Sequence, residues 1–501
     1  MQITQKKGGV ILSYVQMVFN VLVKFIYTPF LLRALGQNEY GLYSLAMSIV
    51  GYMSVLEFGF GKTVTRYTVK YESENDRDSL YRLFSTLSVI YIIIGVLALF
   101  ACLLVGYFSP SLFSNTMMAE EITKMKVMML LCGINLLFTF PLHIAASVLV
   151  AYERFIFRNG IKLFQTIFQP VVLILLLYLV HIKSVGAIVV VTSFNLLTYL
   201  AYYIYAVKKL NFRFSLWCFD KSMIRGLLTF SIWMFFLVIF EQLQFNSGQL
   251  IISLFQGTEI VAIWGVAMIF ILNYRSISTA VTNVFLPSYL SNTFQDDVVS
   301  LEKTTMKMVR IQSYVLFTIL LNFILFGEYF INLWAGSAYS DVYKLVLIVM
   351  FPMSISLLLD FCYLTQIATN KLKYRIATLF SSYIISFGFV YCMKGINLVS
   401  YSYIMAGSIV LGQIICVVVY VRKNINVNLL DLVKVLIKMW AIPFILTAIL
   451  FFGLRSIPSY QSSVAVFLVS VLMYNLLLGI LLWFTAFSKE EKSMLKNIVV
   501  K

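Results

Sequence analysis

Charge is what this chain has least of. Only 12% of its 501 residues are Asp, Glu, Lys or Arg, about half the share of an ordinary soluble domain. Histidine occurs twice, at His143 and His181, which excludes an HExxH motif or a His-rich metal centre. The six cysteines (Cys102, Cys132, Cys218, Cys362, Cys392 and Cys416) include no CxxC and fall mostly in apolar runs. They read as small buried hydrophobes, not as a disulfide framework. A phosphate-binding loop is also missing. Gly61-Lys62-Thr63 ends like one, but the glycine required five positions earlier is Leu56, and no strand precedes it. The paired carboxylates Glu120-Glu121 and Asp296-Asp297 read as solvated loop charge. No metal site, cofactor or nucleotide is expected.

Hydrocarbon is what is there. The chain is 61% hydrophobic with a mean hydropathy of +0.91. That composition excludes a soluble enzyme, a nucleic-acid-binding module and a small disulfide scaffold, and it specifies an all-α polytopic membrane protein. Apolar runs of about 20 residues, the length of one crossing, fall at 9–32, 41–60, 83–107, 127–151, 163–181, 186–206, 226–253, 260–290, 311–334, 345–368, 377–393, 400–421, 439–455 and 462–487. The sequence therefore predicts about fourteen transmembrane helices. Lys6 and Lys7 precede a run too long for the core of a signal peptide, so that run is expected to stay as the first span.

The formal net charge of +17 is an orientation signal. On this span list, 29 of the 38 Lys and Arg lie on the side of both termini and the loops after even-numbered spans; seven lie on the other side. The positive-inside rule then predicts cytoplasmic termini, with the loops around Arg77, Arg154, Lys208, Lys307, Lys371 and Arg422 also cytoplasmic. The charge needs no nucleic-acid partner. No loop exceeds about 23 residues, which leaves no room for a soluble catalytic or nucleotide-binding domain.

A weak repeat divides the chain. Gly36-Gln37-Asn38-Glu39 leading into Tyr43–Met47 recurs 221 positions later as Gly257-Thr258-Glu259 leading into Trp264–Met268. Ala151-Tyr152-Glu153-Arg154 recurs after 217 positions as Ala368-Thr369-Asn370-Lys371. The expected organisation is an N-lobe at 1–220 (spans 1–6), a C-lobe at 221–425 (spans 7–12), and an appended pair of spans with a cytoplasmic tail at 426–501. The repeat is parallel, about an axis along the membrane normal.

Charge inside a span is costly and points to a cavity or a partner. Lys24 lies near mid-depth in span 1, in line with Ser13, Gln16, Asn20 and Thr28. Span 7 carries Glu241, Gln242, Gln244, Asn246 and Gln249; span 8 carries Arg275 with Ser278, Thr279 and Thr282. The expected substrate-binding residues are Lys24, Arg275, Asn20, Gln16, Gln242, Asn246 and Thr279. Glu57, Glu241 and Asp360 are the candidate charge partners. Hydrogen-bonded helix packing is the competing account of these stripes. His143 reads as a packing residue, and Trp264 and Trp334 as interfacial anchors.

Two segments carry a family resemblance. Arg33-Ala34-Leu35-Gly36-Gln37-Asn38-Glu39-Tyr40-Gly41-Leu42-Tyr43 resembles the "LG…EYGLY" segment of bacterial polysaccharide exporters. Leu56-Glu57-Phe58-Gly59-Phe60-Gly61, followed by Arg66-Tyr67, is similar to their "LDLGLG…RY" turn, with Glu57 standing where Asp is usual. The chain thus resembles lipid-linked O-antigen flippases of the multidrug/oligosaccharidyl-lipid/polysaccharide exporter superfamily. The resemblance implies two six-helix lobes in a V-shaped bundle, working by alternating access. It also implies transfer of an undecaprenyl-pyrophosphate-linked oligosaccharide across the bacterial inner membrane, among membrane lipids and other polysaccharide-assembly membrane proteins. Such flippases line their cavity with basic residues on spans 1, 2 and 8. Lys24 and Arg275 match two of these, and span 2 offers none. The alternatives are a cation-coupled multidrug exporter, which would carry acidic residues in the N-half, and a membrane-embedded O-antigen polymerase or ligase, which would need a large outer loop.

Overall fold

The computed structural model describes residues 2–57, 60–210, 212–213, 215, 218, 220–294, 298–368, 372–392, 397–415, 418, 429–455, 464–488 and 491–492. Phe58 and Gly59 of the glycine-rich turn, Asp296-Asp297, Thr369–Lys371 and Arg422 lie outside them. The described residues form helices and connecting turns: α1 (Gln2–Met53), α2 (Phe60–Ser73), α3 (Arg77–Phe113), α4 (Ala119–Ala151), α5 (Phe155–Leu179), α6 (Ser184–Leu210), α7 (Lys221–Gln256), α8 (Thr258–Phe294), α9 (Val298–Trp334), α10 (Val342–Leu358), α11 (Phe361–Ala368), α12 (Leu372–Cys392), α13 (Leu398–Ile409), α14 (Leu429–Arg455) and α15 (Val464–Thr485). Eleven helices among the described residues are long and apolar enough to cross a membrane, and a shorter apolar one runs over Leu398–Gly412.

The count differs from the fourteen expected partly because one of those helices holds two expected spans. Val15–Glu57 is 43 residues long, about twice the length of one crossing. It reverses at Gly36, whose φ of 75° and ψ of 174° only glycine adopts easily. Both ends of the hairpin reach the same turn. Gly9 packs on Phe155 at the start of α5, while Gly61, just past Glu57, packs on Ser147 near the end of α4. The expected tenth span is likewise interrupted, at Leu359-Asp360 between α10 and α11. The fifth begins at Phe155, eight residues before the expected 163, so Arg158 and Lys162 belong to a membrane helix and not to a loop.

The described chain falls into two compact units, divided within α8 after Gly265, with a short stretch around Leu398 grouped with the first. In the first unit, α3 and α4 pack closely. A Cβ on Gly95 would lie 2.9 Å from the Leu137 carbonyl oxygen, so the absence of a side chain sets the approach. Tyr91, Leu83, Leu87, Cys102 and Cys132 are buried around this contact. Asp76 caps α3 by accepting the Ser79 N–H at 2.9 Å. That bond and the Ser79 hydroxyl hold its carboxyl below the usual range.

The end of the first unit that carries Gly36 is a polar hub. Glu39 accepts from Lys124 and from the Ser184 N–H and hydroxyl. Glu121, expected as solvated charge, is buried instead and accepts from the Thr258 hydroxyl at 2.8 Å. Trp264, expected as an interfacial anchor, is fully buried against Gly248. Thr258 at the start of α8 meets Glu121 and Gly248 of α7 meets Trp264, contacts that local hydropathy does not register.

The second unit has its core where α9 meets α14 and α15, around Leu321, Phe326, Trp440, Phe467 and Tyr474. Polar side chains at this core pair with one another. Asn322 and Asn475 exchange amide hydrogen bonds at 3.0 and 2.9 Å, and Trp440 donates to Ser313 at 3.1 Å.

Candidate substrate-binding site

Helix α1 has two faces before Gly36. Val18, Leu22, Ile26 and Phe30, at intervals of four, are exposed and form an apolar stripe suited to lipid. Gln16, Asn20 and Lys24 lie about half a turn round from it. Gln16 and Asn20 are half-buried, and Lys24 is exposed. Lys24 is thus exposed on the side of the helix opposite the apolar stripe. Ser13 and Thr28, at the ends of the stripe, are spent on the helix itself: they donate to Gly9 O and Lys24 O at 2.8 and 2.7 Å.

The facing helix is α5. It runs parallel to the first part of α1: Asn159 donates to Ser13 Oγ at 2.7 Å and to Gly9 O at 3.2 Å. At the far end, Glu39, just past the Gly36 bend, meets Ser184, just past α5. Arg158, Lys162, Gln165 and Gln169 recur at helical spacing along α5, opposite the exposed Phe164, Phe168, Val171 and Leu175. Lys162 donates to Gln165 at 2.9 Å, and Gln165 to Gln169 at 3.1 Å. Lys162 lies within electrostatic reach of both Arg158 and Lys24. Among the described residues, none of the three cations forms an ion pair with a carboxylate.

The remaining expected residues divide between the units. In the first, Asn246 donates to Gln242 one turn away on α7, and the pair packs on Gly51 in the second part of α1. Glu241 is half-buried beside them in sequence. Glu57 does not approach Lys24. Its Oε1 lies 3.0 Å from His143 Nδ1 and accepts the Tyr91 hydroxyl at 3.4 Å, while the His143 ring lies on Tyr199 with centroids 5.1 Å apart. His143 thus contacts the Glu57 carboxylate as well as packing on Tyr199.

In the second unit, the span-8 stripe divides. Ser278 and Thr282 accept from Gln312 of α9 at 2.6 and 3.2 Å, which is helix packing. Thr279 is exposed and donates to Arg275 O at 3.0 Å; Arg275 is half-buried. Asp360 is half-buried at the α10–α11 break. An apolar cavity of about 570 Å³ opens among Phe317, Phe351, Ile355, Leu432, Ile437 and Phe444.

Sequence reasoning missed Arg158 and Lys162 because it started the fifth span after Lys162, and Gln165, inside that span, lost its meaning without them. The signal was present: positions 158, 162, 165 and 169 follow the helical period continuously into that span.

With this geometry in hand, comparison with known proteins decides the family. The profile of the polysaccharide biosynthesis protein family matches residues 6–294, more than half of the chain. The chain belongs to that family. No protein of curated function matches it. Among solved structures, this polysaccharide biosynthesis protein resembles the lipid II flippase MurJ in an inward closed conformation, with a TM-score of 0.70 at 11% identity over 93% of this chain and 97% of that one. It also resembles an inward-facing multidrug resistance transporter of the MATE family and MOP superfamily (TM-score 0.61, 13% identity, 81% and 92% covered). The Vibrio cholerae MATE transporter VcmN is a third likeness (TM-score 0.56, 13% identity, 84% and 98% covered). The all-α membrane fold is therefore that of the MOP-superfamily flippases and exporters.

Proposed function

We propose that the protein is a flippase that moves an undecaprenyl-pyrophosphate-linked oligosaccharide, an O-antigen or similar repeat unit, from the cytoplasmic to the periplasmic leaflet of the inner membrane by alternating access. The observation that carries this reading is the exposed Lys24, set opposite the lipid-facing stripe of α1 with no carboxylate partner among the described residues. A cation at membrane depth costs about 2.5–3.5 kcal/mol on insertion scales, and an anionic headgroup offsets that cost. Gln16, Asn20, Gln242 and Asn246 suit sugar hydroxyls. Arg275 and Thr279 supply a second cationic position on α8. The apolar cavity beside α14 suits an isoprenoid tail.

A membrane potential negative inside favours outward movement of an anion by about 2.3 kcal/mol per charge per 100 mV. Two pyrophosphate charges then need no nucleotide, and the chain is a carrier, not an enzyme. Both termini are placed in the cytoplasm by the positive-inside count, and the six-plus-six repeat supplies the two lobes.

Deletion of the gene tests the reading. The expected result is accumulation of an inward-facing lipid-linked glycan and loss of surface polysaccharide, restored by the wild-type gene. Expression-matched Lys24→Ala and Arg275→Ala should each abolish restoration, while Lys24→Arg keeps part of it. Full restoration by the double variant would return both residues to helix packing. The MATE likeness favours cation-coupled drug export as the second reading, which predicts drug sensitivity and intact surface glycan in the deletion strain.

A further inference from the structure

The seam between α1 and α5 gathers more positive charge than a packing contact needs. Asn159 fixes the register of the two parallel helices by holding Ser13 and Gly9. From that level, Arg158 lies at the base, Lys162 one turn higher and Lys24 about two turns higher still, at about 1.5 Å per residue. Lys162 lies within repulsive electrostatic reach of both Arg158 and Lys24, and among the described residues no carboxylate forms an ion pair with Lys24 or Lys162. The Arg158 Nε is buried with no hydrogen-bond partner. Gln165 and Gln169 continue the same face of α5 with amide groups, and the exposed apolar side chains of α5 point the other way. Like charges gathered at membrane depth without a counter-charge destabilise a fold unless an anion joins them.

We propose that Arg158, Lys162 and Lys24 form a ladder along the α1–α5 seam that binds the pyrophosphate headgroup of the transported lipid, with Arg158 and Lys162 engaging it first and Lys24 receiving it further along. The inference rests on the proposed transport of a pyrophosphate-linked lipid and adds the two residues of α5, which make an anion site within the first unit alone. A diphosphate is chemically apt because its oxygens accept from several cations at once. The glutamines beyond Lys162 would meet the first sugar.

The test uses the full-length protein in phosphatidylcholine nanodiscs, with farnesyl pyrophosphate as the probe and calorimetry as the readout. Binding is expected for wild type, with competition by inorganic pyrophosphate and none by farnesol. Lys162→Gln and Arg158→Gln should each weaken binding about tenfold, the worth of one charge-assisted hydrogen bond. Lys162→Arg should retain it. Lys24→Gln changes an exposed side chain and serves as a second variant that folds even if an α5 variant does not; it too should weaken binding. Wild-type affinity in the folded Lys24→Gln protein or in an Arg158→Gln/Lys162→Gln protein with unchanged melting would overturn the ladder. So would displacement of the probe by phosphatidylglycerol at equal concentration, which would identify a site for bulk anionic lipid. Complementation separates this result from the transport reading. If binding still depends on Lys162 but the deletion strain accumulates no glycan, the ladder stands and the transport reading falls. If the strain accumulates glycan but the variants bind normally, the reverse holds.

Discussion

The α1–α5 seam and the contact between α9 and the C-terminal segment treat cations in opposite ways. At the junction, Arg310 is fully committed: its Nε and Nη2 reach Glu491 at 3.0 and 2.7 Å, and Nη2 also donates to Ala486 O at 2.7 Å. Tyr314 closes the group by donating to Glu491 at 3.2 Å. Burial works against the Glu491 carboxylate, but hydrogen bonds from Arg310 and Ser488 outweigh it and hold the group at about 2. Along the seam, Arg158, Lys162 and Lys24 have no such carboxylate among the described residues. The first arrangement completes a fold by itself; the second is completed from outside. A cation in a membrane protein is thus informative through its partners rather than its depth.

The sharpest way to break this contrast is to strand Arg310. Glu491→Ala should lower unfolding stability by about 2–3 kcal/mol, because a half-buried guanidinium loses its counter-charge. Thermal unfolding of the detergent-solubilised protein measures it, and a change below about 0.5 kcal/mol would place Arg310 among the surface pairs.

The asparagine pair at the same core gives a smaller effect with a distinctive pattern. Asn475→Leu leaves the Asn322 amide unmatched and should cost about 1–2 kcal/mol, whereas Asn322→Leu/Asn475→Leu together should recover most of it. Additive losses in the double variant would argue against a shared bond.

Acid titration sharpens the comparison without mutation. Glu491 sits below its ordinary value of 4.5 in the folded protein, so its stabilisation is complete above that value and fades as pH falls toward about 2. The Glu491→Ala protein should lose this part of the acid dependence. Unchanged acid unfolding between wild type and variant would remove Glu491 as its source.

The smallest stability effect belongs to the seam. Lys24→Gln removes a cation that Lys162 repels and no carboxylate among the described residues neutralises, so stability should equal wild type or exceed it by up to about 0.5 kcal/mol, while the proposed glycan transport falls. A loss comparable to Glu491→Ala would show that Lys24 has a structural partner after all.

How much was legible beforehand depended on the range of the interaction. The polar stripe through Gln16, Asn20 and Lys24 was readable because helical spacing is a local property. The interruption at Gly36 could be placed between two apolar runs for the same reason. Glu121 and Trp264 were misread because their partners, Thr258 on α8 and Gly248 on α7, are brought to them by helix packing, the first from 137 positions away in the chain. Glu57 was named as a charge partner, but only packing of α4 beside it selected His143. Ser278 and Thr282 looked like part of a binding stripe until Gln312 of α9 took them up.

The sequence by itself determined a helical, many-span membrane protein, because 61% apolar residues gathered in runs of about 20 match helical crossings, whose backbone hydrogen bonds close within each segment. Which cations are neutralised and which are left open was decided only by tertiary structure. Neutralisation requires a carboxylate within a few ångströms, and neither the pairing of Arg310 with Glu491, 181 positions apart, nor the register of α1 against α5 is written in any local pattern.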